Sequence, residues 1–181
     1  IDVMDGVFVP NISFGLPVIK SIRKHARKPF DVHLMIVEPD RYINAFRDAG
    51  ADHLTGHLEA CPHLHRSVQA IKAAGMKAGV AINPHSNVTL LEDVMADIDL
   101  VCLMSVNPGF GGQKFIERTY ARISALKELR TRTGSQALIE IDGGVGLENA
   151  QKLVETGADV LVAGNSVFGV QDPAAAIRSL A

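Results

Sequence analysis

Cysteine is scarce in this chain of 181 residues: there are two, Cys61 and Cys102. Two cannot form a disulfide framework, so stability must come from apolar packing, and a reducing cytosol is the expected compartment. A plastid is left open as an alternative. An excess of one charge is also missing. Eighteen Lys and Arg stand against twenty Asp and Glu, for a formal charge of −2. Without a basic surplus, nucleic acid is not expected as a partner. No apolar run is long enough to cross a bilayer, which excludes a spanning helix. There is no signal-peptide pattern, and the first residue is Ile1 rather than methionine. The chain opens inside what reads as a strand, so we expect an N-terminal piece to be missing. What remains is ordinary for one globular domain over 1–181: 47% hydrophobic and 21% charged residues.

Strand and helix patterns alternate along the whole length. Apolar residues at helical spacing occur at Leu16, Ile19 and Ile22, and again at Leu64, Val68 and Ile71. A longer series runs through Ile116, Tyr120, Ile123, Leu126 and Leu129, with Arg118, Arg122, Lys127 and Arg130 expected on its solvent face. Strands are predicted at 30–35, 53–59, 77–83, 100–105, 137–142 and 160–163. A weak repeat supports the pattern: Ala49-Gly50-Ala51-Asp52, Ala74-Gly75-Met76-Lys77 and Thr156-Gly157-Ala158-Asp159 each place glycine between helix and strand. Glycine there ends a helix in the left-handed conformation. With the partial strand at Ile1, seven strands and seven helices are counted. Alternating units imply a parallel sheet, and a closed barrel of this kind has eight. The expected fold is therefore α/β, a (β/α)8 barrel lacking its first strand and helix. An open doubly wound sheet is the competing architecture.

Three strand endings favour the barrel. They read Asp2-Val3-Met4-Asp5-Gly6, Asp31-Val32-His33-Leu34-Met35 and Leu138-Ile139-Glu140-Ile141-Asp142-Gly143-Gly144. Alternate side chains of a strand face opposite sides. Val3, Val32, Leu34, Ile139 and Ile141 then face the helices, while Asp2, His33, Glu140 and Asp142 point inward. Strands of an open sheet tend to be apolar on both faces. Asp2, His33 and Asp142 suit a divalent metal, since carboxylate oxygen and imidazole nitrogen are its usual ligands. Buried hydrogen-bonded carboxylates and a core histidine are the structural alternative. His57 and Glu59 share the inward face and are expected to line a pocket. Cys61-Pro62-His63-Leu64-His65 resembles a metal motif only in composition and is read as surface.

The loops after the strands add a second chemistry. Asn107-Pro108-Gly109-Phe110-Gly111-Gly112-Gln113 is flexible enough for backbone to approach a ligand. Asp142-Gly143-Gly144 and Gly164-Asn165-Ser166 each precede a predicted helix, where backbone N–H groups bind phosphate. Either loop alone reads as ordinary turn chemistry; together they favour phosphate.

These residues resemble the ribulose-phosphate 3-epimerase family. The resemblance is carried by Asp2 to Gly6, Phe8-Val9-Pro10-Asn11-Ile12-Ser13-Phe14-Gly15, Asp31 to Met35, Met104 to Gln113, Asp142 to Gly144 and Ala163-Gly164-Asn165-Ser166-Val167-Phe168. It covers the chain in order. It implies a (β/α)8 barrel that interconverts D-ribulose 5-phosphate and D-xylulose 5-phosphate in the pentose phosphate pathway. By resemblance, Asp2 and Asp142 are acid/base carboxylates and metal ligands, and His33 is a third ligand. The implied cofactor is one divalent ion, expected as Zn²⁺, with Fe²⁺, Mn²⁺ or Co²⁺ as alternatives. A fourth ligand of the family would lie upstream of Ile1. The resemblance also implies substrate or phosphate contacts at His33, Gly109, Phe110, Gly111, Gly112, Asp142, Gly143, Gly144, Gly164 and Asn165. Many relatives have serine in place of Asn165. Met4, Met35 and Met104 correspond to methionines that line the family's pocket. The partner is a small ketose phosphate, with a homo-oligomer expected. Three other readings stay open: an allulose 6-phosphate epimerase, a different reaction on a related phosphate-binding barrel, and a sugar-phosphate-binding remnant without catalysis.

Overall fold

The computed structural model describes residues 1–180. Seven strands form one parallel sheet in chain order: β1 (Asp2–Met4), β2 (Asp31–Met35), β3 (His53–His57), β4 (Lys77–Ile82), β5 (Leu100–Met104), β6 (Leu138–Asp142) and β7 (Val160–Val162). The helices are α1 (Leu16–Arg23), α2 (Ile43–Ala49), α3 (Leu64–Ala73), α4 (Thr119–Thr133), α5 (Ala150–Thr156), α6 (Asn165–Phe168) and α7 (Pro173–Leu180). This is seven of the eight strands of a (β/α)8 barrel. The crossover from β4 to β5 departs from the pattern, carrying the 3₁₀ segment Val88–Val94 in place of an α-helix. Asn87 starts it by accepting the Thr89 N–H at 3.0 Å. Such local side-chain bonds compete with α-helix formation.

The two faces of the sheet separate as the alternation requires. Val3, Val32, Leu34, Leu54, Val80, Ile82, Leu103, Ile139 and Ile141 pack with Ile19, Phe46, Val68, Ile71, Ile123 and Leu126 of the helices in one large core. Burying each large aliphatic side chain contributes about 1.5–3 kcal/mol. The inner face is filled by a smaller cluster of Ala81, Leu100, Cys102, Met104 and Val106, together with buried His33, Thr55, His57 and Glu140. Gly79 lies on this face opposite Thr55, and any Cβ there would collide with the Thr55 hydroxyl.

Glycine stops end α2, α3 and α5, with φ of +100°, +87° and +129° at Gly50, Gly75 and Gly157. The aspartates nearby do a second job at the N-terminal ends of the strands. Asp52, just before β3, accepts the Phe30 N–H at 2.7 Å. Asp99, just before β5, accepts the Ala78 N–H at 2.9 Å. Asp159, just before β7, accepts the Ile139 N–H at 2.8 Å. Each thus holds the start of the preceding strand.

Helix α4 differs from expectation in two respects. It begins at Thr119: the Ile116 N–H is bonded to the Ser105 carbonyl at 2.9 Å, and the N–H groups of Thr119 and Tyr120 turn back three residues, to the carbonyls of Ile116 and Glu117. Arg122 and Arg130 also do not face solvent. Arg130 reaches Asp159 at 2.6 Å. Arg122 donates to the carbonyls of Met104 at 2.9 Å and Asn83 at 2.8 Å. A long charged side chain can lay its stem on the core and carry its head to carbonyls below. None of the described helices is long and apolar enough to cross a membrane.

Candidate active site

Strand register brings the inward acids and imidazole together. Asp2 is paired directly with His33, and Met104 with Asp142. His33 Nδ1 lies 3.3 Å from Asp142 Oδ2 and 3.5 Å from Asp2 Oδ1. The three groups sit at different depths. The side chain of His33 is 7% exposed, that of Asp142 15% and that of Asp2 47%. Burial disfavours a charged His33, but its hydrogen bonds to Asp142 and Asp2 outweigh this and push it up to about 10. Asp2 is held below the usual carboxylate range; burial opposes this, and the bond to His33 overrides it.

The acids continue inward. Glu140, one layer below Asp142, is pushed up to about 8 by burial and then by Asp31. Cys102 is fully buried, and burial followed by Glu140 drives its thiol well above the ordinary value. Ligand atoms of His33, Cys102 and Asp142 all fall within 4.8 Å of one another. This trio differs from the expected one by offering Cys102 where Asp2 was anticipated. A thiol held so firmly protonated is the poorer ligand, since the thiolate is the binding form. Asp2 is the better match to hard or borderline divalent ions.

Above His33 opens a cavity of about 550 Å³. Its wall includes Asp2, Met4, Met35, Met104 and Asp142, the loop Gly109, Phe110, Gly111 and Gly112, the pair Gly143 and Gly144, and Gly164 with Asn165. Of the expected substrate-contacting residues, His33 is the exception, lying beneath the wall. His57 and Glu59 do not line the cavity either, contrary to expectation. His57 is completely buried behind His33, with Nε2 to Nε2 at 2.9 Å. Glu59 sits behind His57 at 3.3 Å.

The glycine loops are built by contacts that sequence did not signal. Gln113 Nε2 donates to the carbonyls of Asn107 at 2.6 Å and Phe110 at 2.8 Å, folding the loop on itself. Asn11 Nδ2, from the loop after β1, donates to the Gly109 carbonyl at 2.8 Å. Asp5 orders that same loop by accepting the N–H groups of Val7 and Phe8. The Gly143-Gly144 pair departs from expectation: it is not at a helix start, since α5 begins only at Ala150. Its shape comes from left-handed φ of +115° and +62°. A Cβ on Gly144 would come within 2.7 Å of the Phe115 nitrogen. Ser105 Oγ donates to the carbonyls of Asp142 at 2.8 Å and Gly143 at 2.6 Å, and Asn149 Nδ2 donates to that of Gly144 at 2.9 Å. Lys114 and Lys152 add positive charge to the wall, and no spacing in the sequence pointed to them.

Parallel strands, helices outside and polar groups gathered at the carboxyl ends define a protein of the β/α-barrel class with an acid–imidazole centre. Residues 1–168 match the model of the ribulose-phosphate 3 epimerase family, and the chain belongs to that family. Ribulose-phosphate 3-epimerase of Bacillus subtilis (strain 168) is 54% identical over 181 residues, covering 99% of this chain and 83% of the relative. Ribulose-phosphate 3-epimerase of Aquifex aeolicus (strain VF5) is 50% identical over 99% of this chain and 81% of its own length. A chloroplastic ribulose-5-phosphate-3-epimerase of Arabidopsis thaliana is 49% identical, with 99% of this chain and 65% of that protein covered. Among solved structures, a 3-hexulose-6-phosphate synthase superposes with a TM-score of 0.70 at 23% identity, covering 92% of this chain and 79% of that one. A likeness at that identity concerns the fold alone.

Proposed function

We propose that this protein epimerises C3 of a ketose phosphate, interconverting D-ribulose 5-phosphate and D-xylulose 5-phosphate. The observation that carries this reading is the placement of Asp2 and Asp142. They come from β1, at one end of the sheet order, and β6, next to the other end, yet both reach His33 Nδ1. Family membership supports the reading.

The reaction needs two acid/base groups. The proton on C3 is acidified by the neighbouring C2 ketone, and its removal leaves an enediolate. Returning a proton to the opposite face inverts the centre. One carboxylate must stand on each face, one taking the proton and the other, in its acid form, giving one back. Each such group contributes ~10²–10⁴-fold. Asp2, held low, is an ionised base at neutral pH. Met4, Met35 and Met104 flank the carboxylates; thioethers are polarizable and carry no acidic proton, so they shelter the enediolate without quenching it. The phosphate is assigned to the backbone N–H groups of Gly109 to Gly112, Gly143-Gly144 and Gly164-Asn165, with Phe110 at the mouth.

Two carboxylates converging on one imidazole nitrogen form a site for positive charge, either a proton on His33 or a cation in its place. That fits a divalent metal. Asp2, His33 and Asp142 would hold it, with Zn²⁺ the ion we assign first and Fe²⁺, Mn²⁺ and Co²⁺ as alternatives. When bound, it supplies Lewis-acid stabilisation of negative charge on the substrate oxygens. The remaining assignments follow the same reading: one domain over 1–181, the pentose phosphate pathway, a cytoplasmic location, a homo-oligomer, and no nucleic acid or membrane partner.

The test is isotope exchange. The protein is incubated with D-ribulose 5-phosphate in D₂O and the sugar is followed by NMR, with Zn²⁺ and then with a chelator. Metal-dependent deuterium at C3, with xylulose 5-phosphate appearing, is the expected result. Folded protein that exchanges nothing would overturn the assignment.

A further inference from the structure

Glu59 and His57 have no part in the proton transfers above, yet they are among the most tightly placed polar groups in the protein. Glu59 Oε1 accepts the Asn83 N–H at 2.9 Å and a short bond from the Ser86 hydroxyl. Its Oε2 faces His57 Nδ1 at 3.3 Å. His57 Nε2 meets His33 Nε2 at 2.9 Å. The ring centroids are 5.0 Å apart and the planes differ by 25°, so the nitrogens lie between the rings and the imidazoles meet edge to edge. Phe8 covers His57 at 4.7 Å between ring centroids. Arg122 holds the carbonyls of Asn83 and Ser86 at 2.8 and 3.3 Å, fixing the loop that holds Glu59.

The protons in this chain can be assigned one at a time. An ionised carboxylate only accepts, so His57 Nδ1 must carry the hydrogen it shares with Glu59. Glu59 is ionised: burial opposes that, but bonds from His57, Ser86 and the Asn83 N–H bring it down to about 2. Two Nε2 atoms 2.9 Å apart share a single hydrogen, and a neutral His57 with its hydrogen on Nδ1 offers an Nε2 lone pair to accept it. The hydrogen between the two imidazoles must then sit on His33 Nε2. In neutral His33 this leaves the Nδ1 lone pair pointing at Asp142 and Asp2.

We propose that Glu59 and His57 are positioning residues: a relay from Glu59 through His57 fixes His33 in the tautomer whose Nδ1 binds the divalent cation. The inference rests on the metal reading above. Outer hydrogen-bond partners of this kind orient ligand imidazoles and typically govern 10–100-fold in metal affinity.

Affinity for Zn²⁺ is measured by competition with a chelator for the parent, His57→Leu, His57→Gln and Glu59→Gln. Imidazole ¹⁵N spectra of the zinc-loaded parent report which His33 nitrogen carries hydrogen. His57→Leu removes the acceptor and should weaken Zn²⁺ binding about 10–100-fold. His57→Gln, whose amide oxygen can accept from His33 Nε2, should recover most of it, and Glu59→Gln should fall between. The spectra should show hydrogen on Nε2 and metal on Nδ1. Metal on Nε2 overturns the relay, even if His57→Leu does not fold. A parent that binds Zn²⁺ with His57→Leu unchanged overturns the relay and leaves the metal reading standing. A parent that binds no Zn²⁺ overturns both.

Discussion

Asp2 and Asp142 are one residue type in two surroundings, and the difference is measurable. Asp2 is nearly half exposed at the mouth, whereas Asp142 is mostly covered. Replacing either by Asn removes an acid/base group while keeping its size. Asp142→Asn and Asp2→Asn should each slow epimerisation by ~10²–10⁴-fold. Binding of a ketose phosphate, followed by calorimetry, should persist because the loop N–H groups proposed to hold the phosphate are untouched. Glu59 gives a different signal. Its carboxyl lies at about 2 in the folded chain against 4.5 unfolded. A depressed carboxyl contributes stability above its unfolded value, and that contribution is lost as pH falls through the folded one. Chemical denaturation at stepped pH should therefore show stability falling between about 4.5 and 2. Glu59→Gln should flatten that part of the profile, and an unchanged slope would refute the assignment.

Elements show where sequence reading succeeds and where it stops. The strand pattern, the glycine stops and the inward acids were all legible, because alternation and helix ends are local properties. Arg122 and Arg130 were not, since a basic residue between apolar ones reads as surface until a carbonyl or an aspartate from elsewhere is found beneath it. The Gly143-Gly144 loop reads as a helix start although α5 begins six residues later, a separation that leaves no mark on the glycines. Asp52 and Asp159 fall inside the helix–glycine–strand repeat, but their bonds to the previous strand come from tertiary placement. Asp52→Ala and Asp159→Ala each leave a strand N–H without its acceptor, at a cost of about 1–3 kcal/mol. Urea midpoints should drop accordingly while kcat is preserved, because both residues lie at the end of the barrel away from the cavity. Lost turnover in a variant that remains folded would contradict that division.

The whole molecule sets the behaviour of its two thiols. Cys61 is buried, with burial pushing it up to about 11, and Cys102 has no exposed surface. Neither should react with a thiol reagent at neutral pH while the protein is folded. Both should react together as denaturant unfolds it, so labelling rate against denaturant should track the loss of helical circular dichroism. Fast labelling of native protein would show that the inner layer opens. Across the mouth, the bond from Asn11 to Gly109 joins positions 98 apart in the chain. It is made to a backbone oxygen, which every amino acid possesses. Gly109 is separately constrained by its φ of +124° and by Val9, 3.2 Å from where a Cβ would stand. Substitution at one position therefore imposes no compensating change at the other. Correlated variation among relatives would pass over this contact altogether, although it ties together two loops of the cavity rim.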